Sequence, residues 1–466
     1  MRLDEELQTS GYFWLPSNSE QKIPGNLVIK DGGEIELEVV GLFDNSIDGI
    51  RVAMNGSVTI DRIIGHVERY GLITLDESFY KNRNISFGGI SKSKIHVNKA
   101  FLGVAYKENE GIFFNSFQFS VEGIDEWVGS SGIRVEHFLE NKSASITYTP
   151  PKEVTLNLNN GMKLQITFTW TLPGVPIQKE AKITQKTYLK LLSDQELSLN
   201  DFILVAHKIT TLLGFSIDRT VCIEKITATS EVIREEIDDN HTRPLTISIY
   251  YPSLPFTEKK PKIDLHRMLF RLRQIDSNAE RIFNNWLEAY DEISPALNLY
   301  FSTKTGAHKY LDGKFLALVQ GLETYHRRTS DMKQMDEDKF NELTVSLLDK
   351  CPNEYKEWLS GRLAHGNEVS LSRRVKNIIE PFKELLGESK ERKKIIRAIV
   401  DTRNYLTHYN PSLKGSSAKG KELLSLCLKM EAIFQLHLLQ ILGFTQPEIQ
   451  SIFENSYELQ QKLKYM

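Results

Sequence analysis

The order of hydrophobic and polar residues divides the chain into a β-rich first half and a helical second half. Over residues 26–40 and 144–170, apolar and polar side chains alternate in short runs, as expected for half-buried β-strands. The segments Asp31–Gly33 and Asn159–Gly161 separate neighbouring runs and are typical of hairpin turns. One helix is predicted within this half, over residues 200–213, because capping residues precede an apolar stretch.

From about residue 264 onward, apolar residues recur at the three- and four-residue spacing of one helix face. Helices are predicted over residues 265–298, 314–328, 336–348, 354–364, 372–386, 389–409, 418–442 and 447–463. We therefore predict a two-domain α+β protein. Its parts are a β-rich, sandwich- or barrel-like domain at residues 1–225, a strand-containing connector at 226–262 and an all-α bundle at 263–466.

Composition narrows the class of protein. A chain of 466 residues with 40% hydrophobic and 26% charged residues is typical of a globular protein with more than one core. The net charge of −3 means that any nucleic-acid binding depends on a local basic patch. The three cysteines are far apart in sequence, which argues against a disulfide framework or a cysteine zinc site. We find no secretory signal and no apolar run of membrane-spanning length, so we expect a cytoplasmic protein without membrane association.

The predicted helix 389–409 combines an apolar side with a strongly basic residue. Its apolar side is formed by Ile395, Ile396, Ile399, Val400 and Leu406. Arg403 lies near the centre of that side. Burial there would remove the water around its guanidinium, so the residue needs either a charged partner or a functional role. His408 follows five residues later, about 140° around an ideal helix. The two side chains can converge only if the helix ends or distorts between them, or if a second chain completes the site. Pro411 favours an ending because it disfavours helical geometry at Asn410.

Arg403, Asn404 and His408 together resemble the Arg-x4–6-His signature of HEPN domains, whose active members are metal-independent ribonucleases. The signature lies late in a run of helices, behind a β-rich region. This arrangement is similar to that of the ApeA family of bacterial abortive-infection proteins. Residues 11–16 and 25–31 also look like the start of that family's N-terminal domain.

The resemblance implies catalytic roles for Arg403, Asn404 and His408, with Glu323 and Asp401 in support. A histidine suits the proton transfers of RNA cleavage, and a guanidinium matches phosphate oxygens. The products would carry a 2′,3′-cyclic phosphate and a 5′-hydroxyl, with no cofactor and no metal. The expected partners are an RNA substrate (tRNA), a phage-derived trigger on the N-terminal domain, and further copies of the chain in a homodimer or higher homo-oligomer.

The residues by themselves leave a structural role open. Arg403 would then be a buried arginine paired with Asp401 or Glu323, and His408 would cap the helix dipole. The corresponding alternative function is a non-catalytic nucleotide- or protein-binding module with a β-sandwich recognition domain. Basic residues near the signature, including residues 392–394 and Arg397, would attract a phosphate backbone.

Overall fold

The computed structural model describes residues 1–43, 59–84, 89–174, 179–238 and 241–464. The chain divides into two compact units, Met1–Leu287 and Glu288–Met466. The first unit is rich in strands and the second is built from helices. The predicted two-domain α+β class is therefore confirmed.

The strands of the first unit follow one another along the chain, and the described residues form two helices among them. The described strands are β1 (Leu7–Leu15), β2 (Asn18–Ile29), β3 (Ile35–Val40), β4 (Thr59–Val67), β5 (Gly71–Asn84), β6 (Lys92–Leu102), β7 (Phe113–Val121), β8 (Ile133–Phe138), β9 (Ser143–Tyr148), β10 (Val154–Asn157), β11 (Lys163–Thr171), β12 (Thr184–Ser198), β13 (Ile223–Thr229), β14 (Arg234–Asp238), β15 (His241–Pro244) and β16 (Ile247–Tyr250). Helix α1 (Ile124–Val128) follows β7, and α2 (Leu199–Ile217) follows β12.

Six of these strands close into a barrel. They follow the order β6-β3-β2-β1-β4-β5, and β5 pairs again with β6. In β3, the buried Ile35 and Leu37 alternate with Glu36 and Glu38, because successive side chains of a strand point to opposite faces. The interior is thus filled by apolar residues such as Phe13, and the predicted sandwich- or barrel-like domain contains a barrel.

The main sheet continues beyond the barrel through β16, β13, β7, β12, β11 and β10. Helix α2 covers part of this extension, with Phe202 stacked on Phe117 of β7 at 5.7 Å between ring centroids. Ser198 and Asp201 form a capping box at its first turn, which confirms the predicted helix start. The hairpins β8–β9 and β14–β15 form separate two-stranded sheets.

The division between the units differs from the predicted borders at residues 225 and 262. Strands β13 and β16 belong to the main sheet, so the predicted connector is part of the first unit. Residues beyond 262 also pack there. Phe215 of α2 contacts both Phe270 and Trp286, with ring centroids 6.3 and 6.0 Å apart. The indole N–H of Trp286 donates a hydrogen bond to the backbone carbonyl of Lys208. Helical periodicity shows that such residues form helices, but it does not show which of the two cores they pack into.

The remaining helices are, in chain order, α3 (Leu272–Ile275), α4 (Ala279–Ser302), α5 (Leu311–Thr329), α6 (Glu337–Asp349), α7 (Asn353–Leu363), α8 (Leu371–Ile379), α9 (Ser389–His408), α10 (Gly420–Ile441), α11 (Gln446–Asn455) and α12 (Tyr457–Lys464). Three predicted helices are wrong as single elements. The first of them, 265–298, is divided among a 3-10 turn, α3 and α4. The helix predicted at 372–386 becomes 3-10 after Ile379, where Pro381 lacks the N–H that an α-helix needs. The helix predicted at 447–463 is interrupted at Ser456, between α11 and α12.

Helix α10 is the central helix of the second unit, packing against α5, α9, α11 and α12. Its Phe434 lies 4.9 Å from Tyr300 between ring centroids. By length and composition α10 could cross a membrane, but 72% of its apolar window is buried in the structure, as in the core helix of a bundle. Glu431 of α10 forms a lysine–glutamate cluster with Lys304, Lys314 and Lys462.

Candidate active site

Helix α9 carries the Arg-x4-His residues and is regular between them. It runs from Ser389 to His408 and ends only there, where Tyr409 adopts a left-handed conformation with φ of 49°. The Tyr409 N–H donates to the carbonyl of Tyr405 at 2.6 Å and closes the last turn. Pro411 therefore ends the helix after His408, not before it. Within one chain, Arg403 and His408 stay about 140° apart around the helix axis.

The apolar side of α9 is less buried than its sequence suggests. Of this helix, only Ile399 and Thr402 are buried. The Thr402 hydroxyl accepts a hydrogen bond from the backbone N–H of Ala418 at 2.9 Å, which fixes the connection to α10. The Arg403 side chain keeps 33% of its surface exposed. The expectation of a buried arginine is therefore wrong, because the face around it is only partly covered within one chain.

Arg403 is held beside a carboxylate from another helix. Its Nη2 lies 3.9 Å from Oε2 of Glu323 on α5, and its Nη1 donates to the side-chain oxygen of Asn404 at 3.2 Å. Asp401 instead has its Oδ2 3.5 Å from Nε of Arg397 on the preceding turn. Residues two apart on a helix do not face each other, so Asp401 does not lie beside Arg403 as Glu323 does. The structure brings together Arg403, Asn404 and Glu323, and places Asp401 elsewhere.

His408 occupies the last position of α9 and is exposed to solvent. Within the described ranges, no hydrogen bond or ion pair to its imidazole is found. It contributes no contact to Arg403 in the single chain.

A groove of about 910 Å³ lies between α8 and α9, next to the signature. Its wall on α9 ends at Val400 and Asp401, two residues before Arg403. It is lined by five basic residues: Arg373, Lys376, Arg392, Lys393 and Arg397. Of the basic residues predicted from the sequence, Arg392, Lys393 and Arg397 line the groove, whereas Lys394 lies outside it. Arg373 and Lys376 were missed, although their spacing places them on one face of α8.

His326, near the end of α5, is engaged inside the helical unit. His326 is 5% exposed, and its Nδ1 lies 3.3 Å from Nη1 of Arg374 on α8. Burial lowers the pKa of His326, as do the neighbouring Arg374 and Arg327 guanidinium groups. A neutral imidazole accepts the hydrogen bond from Arg374. His326 is thus part of the packing and not a solvent-facing ligand for RNA.

Two family models match the chain. The model described as ApeA N-terminal domain 1 matches residues 8–286, and the model described as Apea-like HEPN matches residues 316–448. The chain belongs to the ApeA family. No curated protein and no solved structure shows a significant match to it. The matches place this ApeA-family chain among defence-associated HEPN nucleases, as its sequence resemblance implied.

The HEPN match contains the whole candidate site of this ApeA-family protein: Glu323, the groove between α8 and α9, and the residues from Arg403 to His408. In the described part of the chain, no group of three His, Cys, Asp or Glu side chains is arranged to hold a metal ion. Cleavage without a metal stays a prediction. The catalytic roles of Arg403, Asn404 and His408 also stay predictions.

Proposed function

We propose that this ApeA-family protein is an endoribonuclease that cleaves RNA, with tRNA as its substrate, without a metal ion and in abortive defence against phage. The observation that carries the proposal is the position of Arg403. Its partly exposed guanidinium lies beside Glu323, two residues beyond the basic groove. Guanidinium and ammonium groups along the groove bind the phosphate backbone, and Arg403 meets the phosphate to be cut.

The chemistry requires only proton transfers and charge stabilisation. The ribose 2′-oxygen attacks the adjacent phosphorus, and the bond from phosphorus to the 5′-oxygen breaks. The His408 imidazole takes the 2′-hydroxyl proton, and the imidazolium formed in this way gives a proton to the departing 5′-oxygen. Arg403 stabilises the additional charge on the phosphoryl oxygens, and Asn404 orients its guanidinium. The products carry a 2′,3′-cyclic phosphate and a 5′-hydroxyl.

A second copy of the chain completes this site in our proposal. Helix α9 is unbroken, so its own His408 points away from Arg403. Ile395 and Leu406 on the same helix are only half-buried and lie outside the groove lining, which leaves an apolar surface for a partner helix. In a two-fold dimer, Arg403 of one chain meets His408 of the other, and the protein acts as a homodimer or a larger assembly of such dimers.

The first unit, in the same proposal, recognises a phage-derived trigger in the cytoplasm and controls the nuclease. Support comes from its independent compact fold and from the hairpin β8–β9, which lies outside the main sheet. This hairpin exposes Val135, Leu139 and Ile146, and Leu139 is 88% exposed. A two-stranded hairpin with exposed apolar side chains is a surface for a protein partner. Binding of the trigger shifts the nuclease towards its active state.

Cleavage of purified total RNA by the full chain tests the function. We compare wild type with Arg403→Ala and His408→Ala, in EDTA, and use Lys394→Ala as a control on an exposed position of the same helix. Wild type and the control should release fragments with 5′-hydroxyl ends, and the two site variants should not. Folded site variants that cut like wild type would overturn the proposal and favour the non-catalytic binding module.

Complementation tests the shared site. Coexpressed Arg403→Ala and His408→Ala chains form mixed dimers in which one composite site keeps both wild-type residues. We expect the mixture to regain cleavage that neither variant has alone. A mixture that forms dimers but stays inactive would show that Arg403 and His408 act within one chain.

A further inference from the structure

Alternating charges connect Arg403 to a residue outside the signature. Oε1 of Glu323 accepts hydrogen bonds from Nη2 and Nε of Arg327 at 3.1 and 3.4 Å, while its Oε2 faces Arg403 at 3.9 Å. The other face of Arg327 donates through Nη1 to Oε2 of Glu368 at 2.5 Å. Glu323 thus lies between two arginines, and Arg327 lies between two carboxylates.

Glu368 also neutralises a buried cation. Arg374 is 4% exposed, and its Nη2 lies 3.6 Å from Oε2 of Glu368. Its Nε donates to the backbone carbonyl of Val369 at 2.9 Å. Oε1 of Glu368 contacts Nδ1 of His365 at 3.0 Å. The hydrogen bond from Arg327 lowers the pKa of the Glu368 carboxyl, so Glu368 carries its negative charge at neutral pH.

We propose that Glu368 is a positioning residue for Arg403 and acts through Arg327 and Glu323. This inference rests on the proposed function and adds a residue to it. With Glu368 charged, Arg327 is shared between two carboxylates and leaves Oε2 of Glu323 for Arg403. Without that charge, the planar guanidinium of Arg327 can turn to both oxygens of Glu323 in the bidentate geometry that arginine prefers. Arg403 then loses the carboxylate that orients it.

Glu368 lies at the base of a helical arm, which we define as α6 and α7 together. Its backbone bridges that of Lys333, and Gln334 donates to the carbonyl of Asn367 at 2.9 Å. Neither helix of the described arm contains a buried side chain. The arm is thus joined to the helical unit at its base, where Glu368 contacts Arg327. A displacement of the arm changes the charge around Arg327 and, through Glu323, the orientation of Arg403.

Steady-state kinetics of the full chain on RNA test this role. Glu368→Gln removes the charge and keeps the shape, and Glu357→Gln makes the same change on the exposed surface of α7. We expect Glu368→Gln to lower kcat about ten- to a hundredfold, with KM within about twofold of wild type, because a misplaced reacting group slows chemistry more than binding. Glu357→Gln should match wild type, and Glu368→Asp should regain part of the loss. A Glu368→Gln variant with wild-type kcat, or with a changed KM alone, overturns the inference.

A readout without RNA separates this inference from the proposed function. Phenylglyoxal modifies exposed arginines, and peptide mass spectrometry follows the modification of Arg403. Glu368→Gln should raise its rate, because Arg403 loses the Glu323 carboxylate, and Glu357→Gln should not. If wild type cuts no RNA while the rate still rises, the network stands and the nuclease proposal falls. If wild type cuts RNA and neither kcat nor the modification rate responds, the positioning role falls alone.

Discussion

The salt dependence of RNA binding gives the most direct test of the groove between α8 and α9. Five basic side chains line it, and each phosphate contact with single-stranded RNA contributes about −0.7 to the slope of log K against log salt. Five contacts give a slope of about −3.5. The affinity should therefore fall roughly a hundredfold between 50 and 200 mM salt. Replacing Arg373 and Lys376 by glutamine removes two contacts and should leave a slope of about −2.1.

The measurement is fluorescence anisotropy with a labelled single-stranded RNA at several salt concentrations. All proteins carry His408→Ala, so that the RNA is not cut. A matched control replaces Lys390 and Lys394, two exposed residues of α9 outside the groove, by glutamine. The control changes the net charge equally but should keep the slope of the parent. An unchanged slope in the groove variant, or an equal loss in the control, would refute the groove as the path of the RNA.

Three further predictions concern the helical unit. Burial lowers the pKa of His437 from 6.5 to about 4, while its Nε2–H donates to the Ile378 carbonyl at 2.8 Å. The neutral imidazole thus stabilises the fold fully above pH 6.5, and this contribution is lost as pH falls from 6.5 towards 4. At pH 5 the loss is roughly 2 kcal/mol relative to pH 7.5, and His437→Gln should remove that part of the pH dependence in urea unfolding. Burial alone would raise the pKa of the Glu431 carboxyl, but the three lysines of its cluster lower it well below the usual range. Glu431→Gln leaves these lysines without their carboxylate and should lower the free energy of unfolding by about 3–5 kcal/mol. Thr402→Val leaves the buried N–H of Ala418 unpaired and should cost about 1–3 kcal/mol, measured in the same way.

For each of these three predictions, one result would contradict the reasoning. A His437→Gln chain that loses as much stability at pH 5 as wild type would show that another group causes the pH dependence. A loss below about 1 kcal/mol for Glu431→Gln would show that water or relaxation compensates the lysines. A Thr402→Val chain as stable as wild type would mean that Ala418 finds another hydrogen-bond acceptor.

Local patterns in the sequence predict most of the elements. Alternation identified strands such as β3, and the capping residues before α2 identified its start. Such signals are local because pleat and helix pitch repeat within a few residues. They do not specify which strands pair. The closure of the barrel by β5 and β6, and the packing of Trp286 on Phe215 in the first unit, depend on contacts between segments that are distant in sequence.

The candidate site divides in the same way. The signature residues Arg403 and His408, and the family to which the chain belongs, follow from the sequence alone, because they are properties of residue type and spacing. The packing of the helices establishes the rest: Glu323, and not Asp401, faces Arg403, α8 adds a second basic wall to the groove, and Glu368 shares Arg327 with Glu323. An ion pair between helices depends on their packing, and the helical period fixes only which side chains share one face.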